Sequence, residues 1–281
     1  MFSKQSEGFK SKLAVHYINM YPRSVIILLA LLVTFFGSCS DPTSTSDEHL
    51  TKLWELPLES LARTSFAVTD NWLIFKTTSN TTGKLYKVSK DGKTVQSFPT
   101  GGCTRGTPVL QDSVIYTNNC VSSLYALKES DLTTIWSVTD FGFIAMPVAD
   151  ENYVYATDRN VLRALDKSDG HTVWYTPIVG KNSANPVISG DTLYFVTHQL
   201  FAVGFLYAIN KSNGTMIYQR NIPYDSSKSQ EGGSGAGVEI WNGRIFVAGS
   251  NRIFYCFNKT TGDSIWAFEA DAPMEVGLSG L

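Results

Sequence analysis

Hydrophobic and polar residues along this chain fall into short runs that repeat as paired segments. The clearest copy runs from Leu162 to Trp174: an apolar run, a polar turn closed by Gly170, and a second apolar run that ends on the aromatic residue. Similar segments span 206–218, 253–266 and 124–136, and a degenerate copy spans 85–96. Short apolar runs separated by turn residues predict β-hairpins.

A second family of hairpins lies between these copies. Residues 108–116, 147–155 and 186–194 each begin with Pro-Val and end on tyrosine, and 66–75 and 237–246 fit the same template more loosely. Each has an Asp, Gly or Asn turn at its centre, as tight hairpins require. Two hairpins, or four strands, therefore recur roughly every 40 residues, and a period of that length indicates a repeat fold.

The repeat predicts sheets that are covered on both faces. Leu162 and Ala164 would lie on one face of their sheet and Leu165 on the other, and apolar residues on both faces are typical of sheets packed between neighbours. Four-stranded antiparallel units stacked face to face describe an all-β fold, the β-propeller, with about five blades in this chain. A solenoid is the structural alternative. Leu53–Leu56 resembles the last strand of a blade without its partners.

The bulk composition excludes one class of partner. The chain has 281 residues, 43% of them hydrophobic, with 23 basic and 25 acidic side chains and a net charge of −2. Without a basic patch the sequence gives no electrostatic reason to expect nucleic-acid binding.

The first residues resemble a bacterial export signal. Arg23 precedes an apolar run, Val25–Phe36, which is followed by Gly37-Ser38-Cys39. The run is too short to span a bilayer and suits the core of a signal peptide over residues 1–38. Met20 is a compact alternative start. The resemblance to a lipobox implies cleavage before Cys39 and lipidation of its thiol, and residues 39–52 would form a flexible tether.

The repeat resembles that of the pyrroloquinoline-quinone (PQQ)-like, or BamB-like, propellers over residues 53–281. Leu162-Arg-Ala-Leu-Asp-Lys-Ser-Asp-Gly-His-Thr-Val-Trp174 carries the resemblance. WD40 repeats share the period but place Asp after the tryptophan, where this chain has Ser137, Tyr175 or Ala267. The family implies a closed ring of seven or eight blades, so we expect the repeats to be incomplete at the C-terminus. Quinoprotein dehydrogenases of the family have adjacent cysteines beside the cofactor; this chain has no Cys-Cys pair, which argues for no cofactor.

Three further cysteines fall within the repeats. Cys103 and Cys120 lie in two loops of the same blade, and in an oxidising compartment they are a candidate disulfide. The bond would close an 18-residue segment and stabilise the fold by about 3 kcal/mol. Two separate thiols are the alternative. Cys256 replaces the Ala126, Ala164 and Ala208 of other copies, so we expect it to be a buried free thiol.

Function is expected where the copies differ, on the loops of one face. In a propeller the connections between blades share a face with the loops between the second and third strands, and loops carry most binding sites. We predict connections over 100–107, 140–145, 179–185 and 224–236, and loops over 118–120, 158–160, 198–204 and 250–252. The longest, 224–236, is expected to be a plain flexible loop. The candidate binding face comprises Arg105, Phe141, Phe143, Lys181, Asn182, His198, Gln230 and Glu231. We find no catalytic or metal-binding pattern, and His171 reads as a solvated turn residue.

These features predict a non-enzymatic, lipid-anchored scaffold of the bacterial cell envelope. The resemblance implies envelope or outer-membrane proteins as partners, possibly in outer-membrane protein assembly, and a location on the periplasmic side of the outer membrane. Ser40 after the lipid cysteine agrees with outer-membrane sorting. The alternatives are a surface lipoprotein that binds a glycan or peptide, and a fragment of a PQQ-dependent dehydrogenase.

Overall fold

The computed structural model describes residues 52–62, 66–79, 82–102, 106–119, 123–139, 145, 147–158, 160–181, 185–227, 231–234 and 237–271. These residues form 22 β-strands arranged in five antiparallel sheets. Within these ranges no helix is long and apolar enough to cross a membrane. The prediction of an all-β fold built from four-stranded units is confirmed.

Blade 1 has one strand more than the repeat predicts. Its path is β1-β3-β4-β5, and β2 also pairs with β3. The strands are β1 (Leu61–Ala62), β2 (Ala67–Val68), β3 (Trp72–Thr78), β4 (Lys84–Ser89) and β5 (Val95–Pro99).

Blades 2 and 3 are four-stranded meanders in sequence order. Blade 2 comprises β6 (Val109–Gln111), β7 (Val114–Asn118), β8 (Leu124–Lys128) and β9 (Thr134–Val138). Blade 3 comprises β10 (Val148–Ala149), β11 (Tyr153–Asp158), β12 (Val161–Asp166) and β13 (Thr172–Pro177).

Blades 4 and 5 repeat the meander, and blade 4 carries an extra strand, β18. Blade 4 comprises β14 (Val187–Ser189), β15 (Thr192–Leu200), β16 (Gly204–Asn210), β17 (Met216–Ile222) and β18 (Glu231–Gly233). Blade 5 comprises β19 (Val238–Trp241), β20 (Arg244–Ala248), β21 (Ile253–Asn258) and β22 (Ser264–Glu269).

The hydrophobic core lies between successive blades. Leu162 and Ala164 pack against Leu193 and Phe195 of blade 4, whereas Leu165 packs against residues of blade 2. The prediction that each sheet is covered on both faces is therefore confirmed for blade 3. Burying both faces removes two apolar surfaces per sheet from water, which is the main source of stability in such a stack.

The last hairpin of four blades contains a bulge at an equivalent position. The register shifts after Ala126, Ala164, Ala208 and Cys256, each of which pairs with the aromatic residue that ends the copy. A small side chain opposite a large ring leaves room for the ring to reach the next blade. Cys256 is a buried free thiol, as predicted, and burial raises its pKa.

Leu53–Leu56 does not form the strand that we predicted. Trp54, Leu56 and Leu58 instead pack against Phe75, Tyr86 and Val88 of blade 1. The Trp54 indole nitrogen donates to the Lys90 carbonyl at 2.8 Å. The segment thus makes the side-chain contacts of a preceding blade, but the described residues give it no strand partner, so it has no ladder of hydrogen bonds.

Candidate functional site

The predicted connections between blades and the predicted loops between second and third strands lie on one face of the stack, which we call the loop face. The Asn119 side-chain amide donates to the Thr100 carbonyl at 2.6 Å. The Ile178 amide donates to the Asn160 carbonyl at 2.7 Å. The first contact joins the loop after β7 to the connection between blades 1 and 2, and the second joins the loop after β11 to the connection that leaves blade 3. Loops of both sets therefore contact each other on the loop face.

Blade 4 adds a strand pairing to the loop face, because β15 is longer than the equivalent strands of blades 2 and 3. β15 has nine residues, against five in β7 and six in β11. Its last residues, His198–Leu200, pair with Gly233, Gly232 and Glu231 of β18. On the opposite side of β15, the His198 and Lys181 backbones exchange two hydrogen bonds of 2.9 Å.

Glycines allow β18 to lie this close to blade 4. Gly233 has a φ of +93°, and a Cβ there would lie 2.0 Å from the Thr197 carbonyl oxygen. A Cβ at Gly232 would lie 2.0 Å from the Ala202 carbonyl oxygen. Any side chain at either position would force the backbones apart, so these glycines serve the attachment of β18.

On the N-terminal side of the Lys181–His198 pair, the backbone diverges from β15 at Gly180. Gly180 has a φ of +89°, in the left-handed region that favours glycine. The preceding residue, Val179, donates its amide to the Tyr207 hydroxyl at 2.8 Å instead of pairing with β15. Burial raises the pKa of Tyr207, although the hydrogen bond with Val179 opposes this effect, so the hydroxyl stays protonated at neutral pH.

A cleft of about 390 Å³ lies where Val179 and Gly180 diverge from the end of β15. It is lined by backbone and side chains from three parts of the loop face: Asn160, Ile178, Val179, Gly180, Lys181, His198, Gln199 and Leu200. Lys181 is exposed, and in the part of the chain that the structure describes no ion pair involves its amine. The cleft therefore offers a positive charge that its described surroundings do not neutralise.

Large apolar side chains line the cleft or follow directly on the segment that lines it. Leu200 is 59% exposed and Phe201 is 65% exposed, and Val179 and Val203 are exposed nearby. Exposed apolar residues gathered beside an uncompensated charge are typical of a binding surface rather than of a packed core. In chemical terms the cleft can bind a ligand that combines an apolar group with an anionic one.

The structure brings together three of the eight residues of the predicted binding face. Lys181 pairs with His198, and Glu231 belongs to β18, which pairs with the same strand. The other five lie outside the described residues: Arg105, Phe141, Phe143, Asn182 and Gln230. So do the lipidation candidate Cys39 and the disulfide candidates Cys103 and Cys120.

Two loop assignments were wrong in part. We predicted a loop over 198–204, but β15 continues through Leu200 and the turn covers only 201–203. We also predicted a plain flexible loop over 224–236, in which Glu231–Gly233 forms β18. Both errors have one cause, because each segment becomes a strand only by pairing with the other.

Asn160, Gln199 and Leu200 belong to loops predicted on this face, but they were not among the eight named candidates. The sequence contained a signal for a longer strand here, because Thr192–Leu200 runs through Val196, Thr197 and Leu200 without a turn residue. The equivalent strands of blades 2 and 3, β7 and β11, end at Asn118 and Asp158, which are residue types common in turns.

The described residues contain no group of three His, Cys, Asp or Glu side chains that could hold a metal ion. His171 is solvent-exposed, as expected, and its Nδ1 lies 2.6 Å from Asp169 Oδ1. The hydrogen bond with Asp169 raises the pKa of His171. This pair lies in the β12–β13 turn, at the end of blade 3 away from the loop face.

The comparison with protein families matches residues 46–225, which is more than half of the chain, to the family described as outer membrane protein assembly factor BamB. The chain is also 21% identical over 204 residues to a tetrathionate hydrolase from Acidithiobacillus ferrooxidans. That match covers 62% of this chain and 39% of the relative, so the chain spans about two fifths of the relative's length.

Solved structures of similar fold include both an assembly factor and an enzyme. BamB from Moraxella catarrhalis aligns with a TM-score of 0.51 and 13% identity, covering 82% of each chain. A europium-containing methanol dehydrogenase aligns with a TM-score of 0.64 and 11% identity, covering 76% of this chain and 52% of the enzyme. Likeness at this identity establishes the propeller fold that both share.

Proposed function

This chain belongs to the family described as outer membrane protein assembly factor BamB, and from that premise we propose that it is a lipid-anchored scaffold that binds proteins of the bacterial cell envelope. Its role would lie in outer-membrane protein assembly, on the periplasmic side of the membrane. The observation that carries the proposal is the blade 4 cleft, which is lined by exposed Lys181 and exposed Leu200. That combination suits recognition of a polypeptide.

The proposed anchor is the Cys39 thiol, which follows the apolar run and Gly37-Ser38. Metabolic labelling with an alkyne fatty acid should label the wild-type chain and leave Cys39→Ala unlabelled. Label that persists in Cys39→Ala would show that lipid is attached elsewhere or not through this residue.

The scaffold role is tested by site-specific photo-crosslinking in intact cells. A photoreactive amino acid at Leu200 should capture envelope proteins, identified by mass spectrometry. The matched position is Lys128, which is exposed at the end of β8 beside the hairpin turn on the opposite face. Adducts to envelope proteins from Leu200 and none from Lys128 support the proposal.

Two outcomes would contradict the scaffold role. Leu200 and Lys128 could give the same adducts, which would mean that the loop face is no binding surface. Alternatively, the purified chain could oxidise alcohols in a dye-linked assay after reconstitution with PQQ and calcium, which would indicate an enzyme.

A further inference from the structure

We propose that the blade 4 cleft binds an extended peptide that adds to β15 as a strand at Leu200 and directs a carboxylate toward Lys181. This inference rests on the proposed scaffold function and names the chemistry of the partner. The cleft supplies three things that an extended acidic peptide needs: an open backbone edge, an apolar contact and a positive charge.

The open edge follows from the alternation of backbone groups along an antiparallel strand. Successive residues direct their N–H and C=O groups to opposite sides of the strand. His198 uses both groups toward Lys181 at 2.9 Å, so Gln199 directs its groups toward Gly232 of β18, with which it pairs. Leu200 must then direct its N–H and C=O toward the side of Lys181, which is the cleft.

The segment that would pair with Leu200 turns away from it. Continuing the antiparallel register from Lys181 and His198 places Val179 opposite Leu200. The left-handed conformation of Gly180 breaks this register, and Val179 forms its hydrogen bonds with the Tyr207 hydroxyl. On the side of Leu200, pairing with β15 therefore ends at Lys181, which leaves room for an incoming strand.

An extended peptide fits this edge better than a folded surface does. A single residue opposite Leu200 would form two hydrogen bonds, and its neighbours would project alternately to the two faces of the sheet. One face would contact the exposed Leu200 side chain, with Phe201 beyond the end of β15. A strand added here therefore gains backbone pairing and apolar contact together.

The charge of Lys181 selects an acidic peptide. The Lys181 amine makes no ion pair with the described residues around it, and its backbone is fixed to His198. A carboxylate on the incoming strand would gain an ion pair in a partly covered cleft, whereas an amine there would be repelled. A neutral glycan would use neither the charge nor the backbone edge fully.

Fluorescence anisotropy with the full chain tests the proposal. The probe is a dye-labelled short peptide of alternating threonine and valine with one central aspartate. Comparison peptides carry asparagine in place of aspartate, or an N-methyl group on the aspartate, which would lie opposite Leu200 on the face of Lys181. The protein variants are Leu200→Pro, which removes the N–H that faces the cleft, and Lys181→Met, with Lys128→Met as the charge-matched control.

We expect saturable binding of the aspartate peptide. One lost backbone hydrogen bond should weaken binding of the N-methylated peptide about five- to tenfold. Leu200→Pro, which loses a hydrogen bond and also the exposed leucine side chain, should weaken binding at least as much. One partly exposed ion pair should account for about two- to fivefold, lost in Lys181→Met and in the asparagine peptide and reduced by added salt. Lys128→Met should bind as the wild type does. Leu200→Pro should melt at the wild-type temperature, since Gln199, not Leu200, pairs its backbone groups with β18.

Three results would overturn strand addition: no saturable binding, equal affinity for the N-methylated peptide, or unchanged affinity in Leu200→Pro. The crosslinking experiment separates this failure from that of the scaffold role. Envelope adducts from Leu200 without peptide binding would leave the scaffold role and remove the extended peptide. Absence of adducts would remove the scaffold role itself.

Discussion

The indole ring of Trp136 packs directly on the turn that Gly170 closes in the next blade. A Cβ at Gly170 would lie 2.7 Å from Cε3 of Trp136. The Trp136 indole nitrogen donates to the Lys167 carbonyl of the same turn at 2.7 Å. The last aromatic residue of blade 2 and the turn glycine of blade 3 therefore form one contact. It requires a ring at the first position and no side chain at the second.

The same contact recurs along the stack. Trp54 meets Gly92, Trp174 meets Gly214 and Tyr218 meets Gly262, each with a Cβ position 2.6 Å from a ring atom. The glycines are thus needed twice, once for a positive φ and once because no side chain fits beneath the ring. The turn pattern in the sequence indicates the first requirement, and only the packing of the blades shows the second.

Gly170→Ala should destabilise the protein more than an equivalent change at an open turn. The left-handed conformation costs alanine about 1–2 kcal/mol, and the overlap with Trp136 adds about 1–3 kcal/mol. Gly243→Ala is the matched control, because Gly243 has a φ of +71° and nothing within 4 Å of its Cβ position. Urea denaturation should give the larger loss for Gly170→Ala. Equal losses would show that the ring contact adds nothing.

Trp136→Ala should cost more stability than Trp266→Ala. Trp136 is 7% exposed beneath the turn of blade 3, whereas Trp266 of blade 5 is 39% exposed. Losing a buried tryptophan costs about 3–5 kcal/mol. We expect about 1–2 kcal/mol at Trp266, which contacts the rings of Phe246 and Phe254. Thermal melts of the two variants under identical conditions measure the difference, and a larger loss at Trp266 would contradict it.

Between blades 1 and 2 a buried leucine replaces the contact between an aromatic ring and a turn glycine. Gln96 stands where other copies have an aromatic residue, and Leu132 adopts a φ of +61° where they have glycine. Leu132 is buried against Ile74 and Leu85 of blade 1. The leucine fills the space that the ring fills elsewhere, so the two exceptions in the repeat compensate for each other.

Gln96→Trp and Leu132→Gly should therefore be coupled. Each single change should destabilise the protein, the first by overlap with Leu132 and the second by loss of a buried side chain. The double variant should be more stable than the sum of the single changes by about 1–2 kcal/mol. A double-mutant cycle from urea denaturation measures the coupling, and strict additivity would show that the two positions are independent.

Lys76 should make stability increase with pH above neutrality. The Lys76 side chain is fully buried, and its amine donates to Asn118 Oδ1 at 3.2 Å. Burial lowers its pKa to about 7 from 10.5. Between these values the unfolded chain binds the extra proton, so the penalty present below pH 7 is relieved as the pH rises. The wild type should gain about 1.4 kcal/mol per pH unit relative to Lys76→Met in this window.

Urea titrations of both proteins at pH 7, 8 and 9 give the comparison for Lys76. The other groups that titrate in this range are common to the two proteins, so the difference isolates one amine. A constant difference across the three pH values would contradict a lowered pKa.

The candidate disulfide stays a prediction, because Cys103 and Cys120 lie outside the described residues. The Asn119–Thr100 hydrogen bond joins their two loops a few residues away. A bond between them should raise stability by about 3 kcal/mol. Reducing agent should then lower the melting temperature of the wild type and leave Cys103→Ser/Cys120→Ser unchanged. Identical melts with and without reductant would indicate two thiols.

The repeat could be found from the sequence because its signals are local. Alternation around Leu162–Trp174 fixes which residues face each neighbour, and turns such as Asn242-Gly243 require backbone conformations that few residues adopt. These constraints act within a few residues, so they are visible in one sequence. The propeller and its two-sided sheets followed from them.

The binding surface depends on contacts between distant segments. Glu231–Gly233 becomes a strand only because Gly204, Gly232 and Gly233 carry no side chains. Leu200 acquires an open edge only because the chain turns from β15 toward Tyr207 at Gly180. None of these pairings has a periodic signal. The sequence by itself determined the scaffold, through local patterning repeated five times; the cleft was decided by tertiary structure, where backbone hydrogen bonds are assigned between segments tens of residues apart.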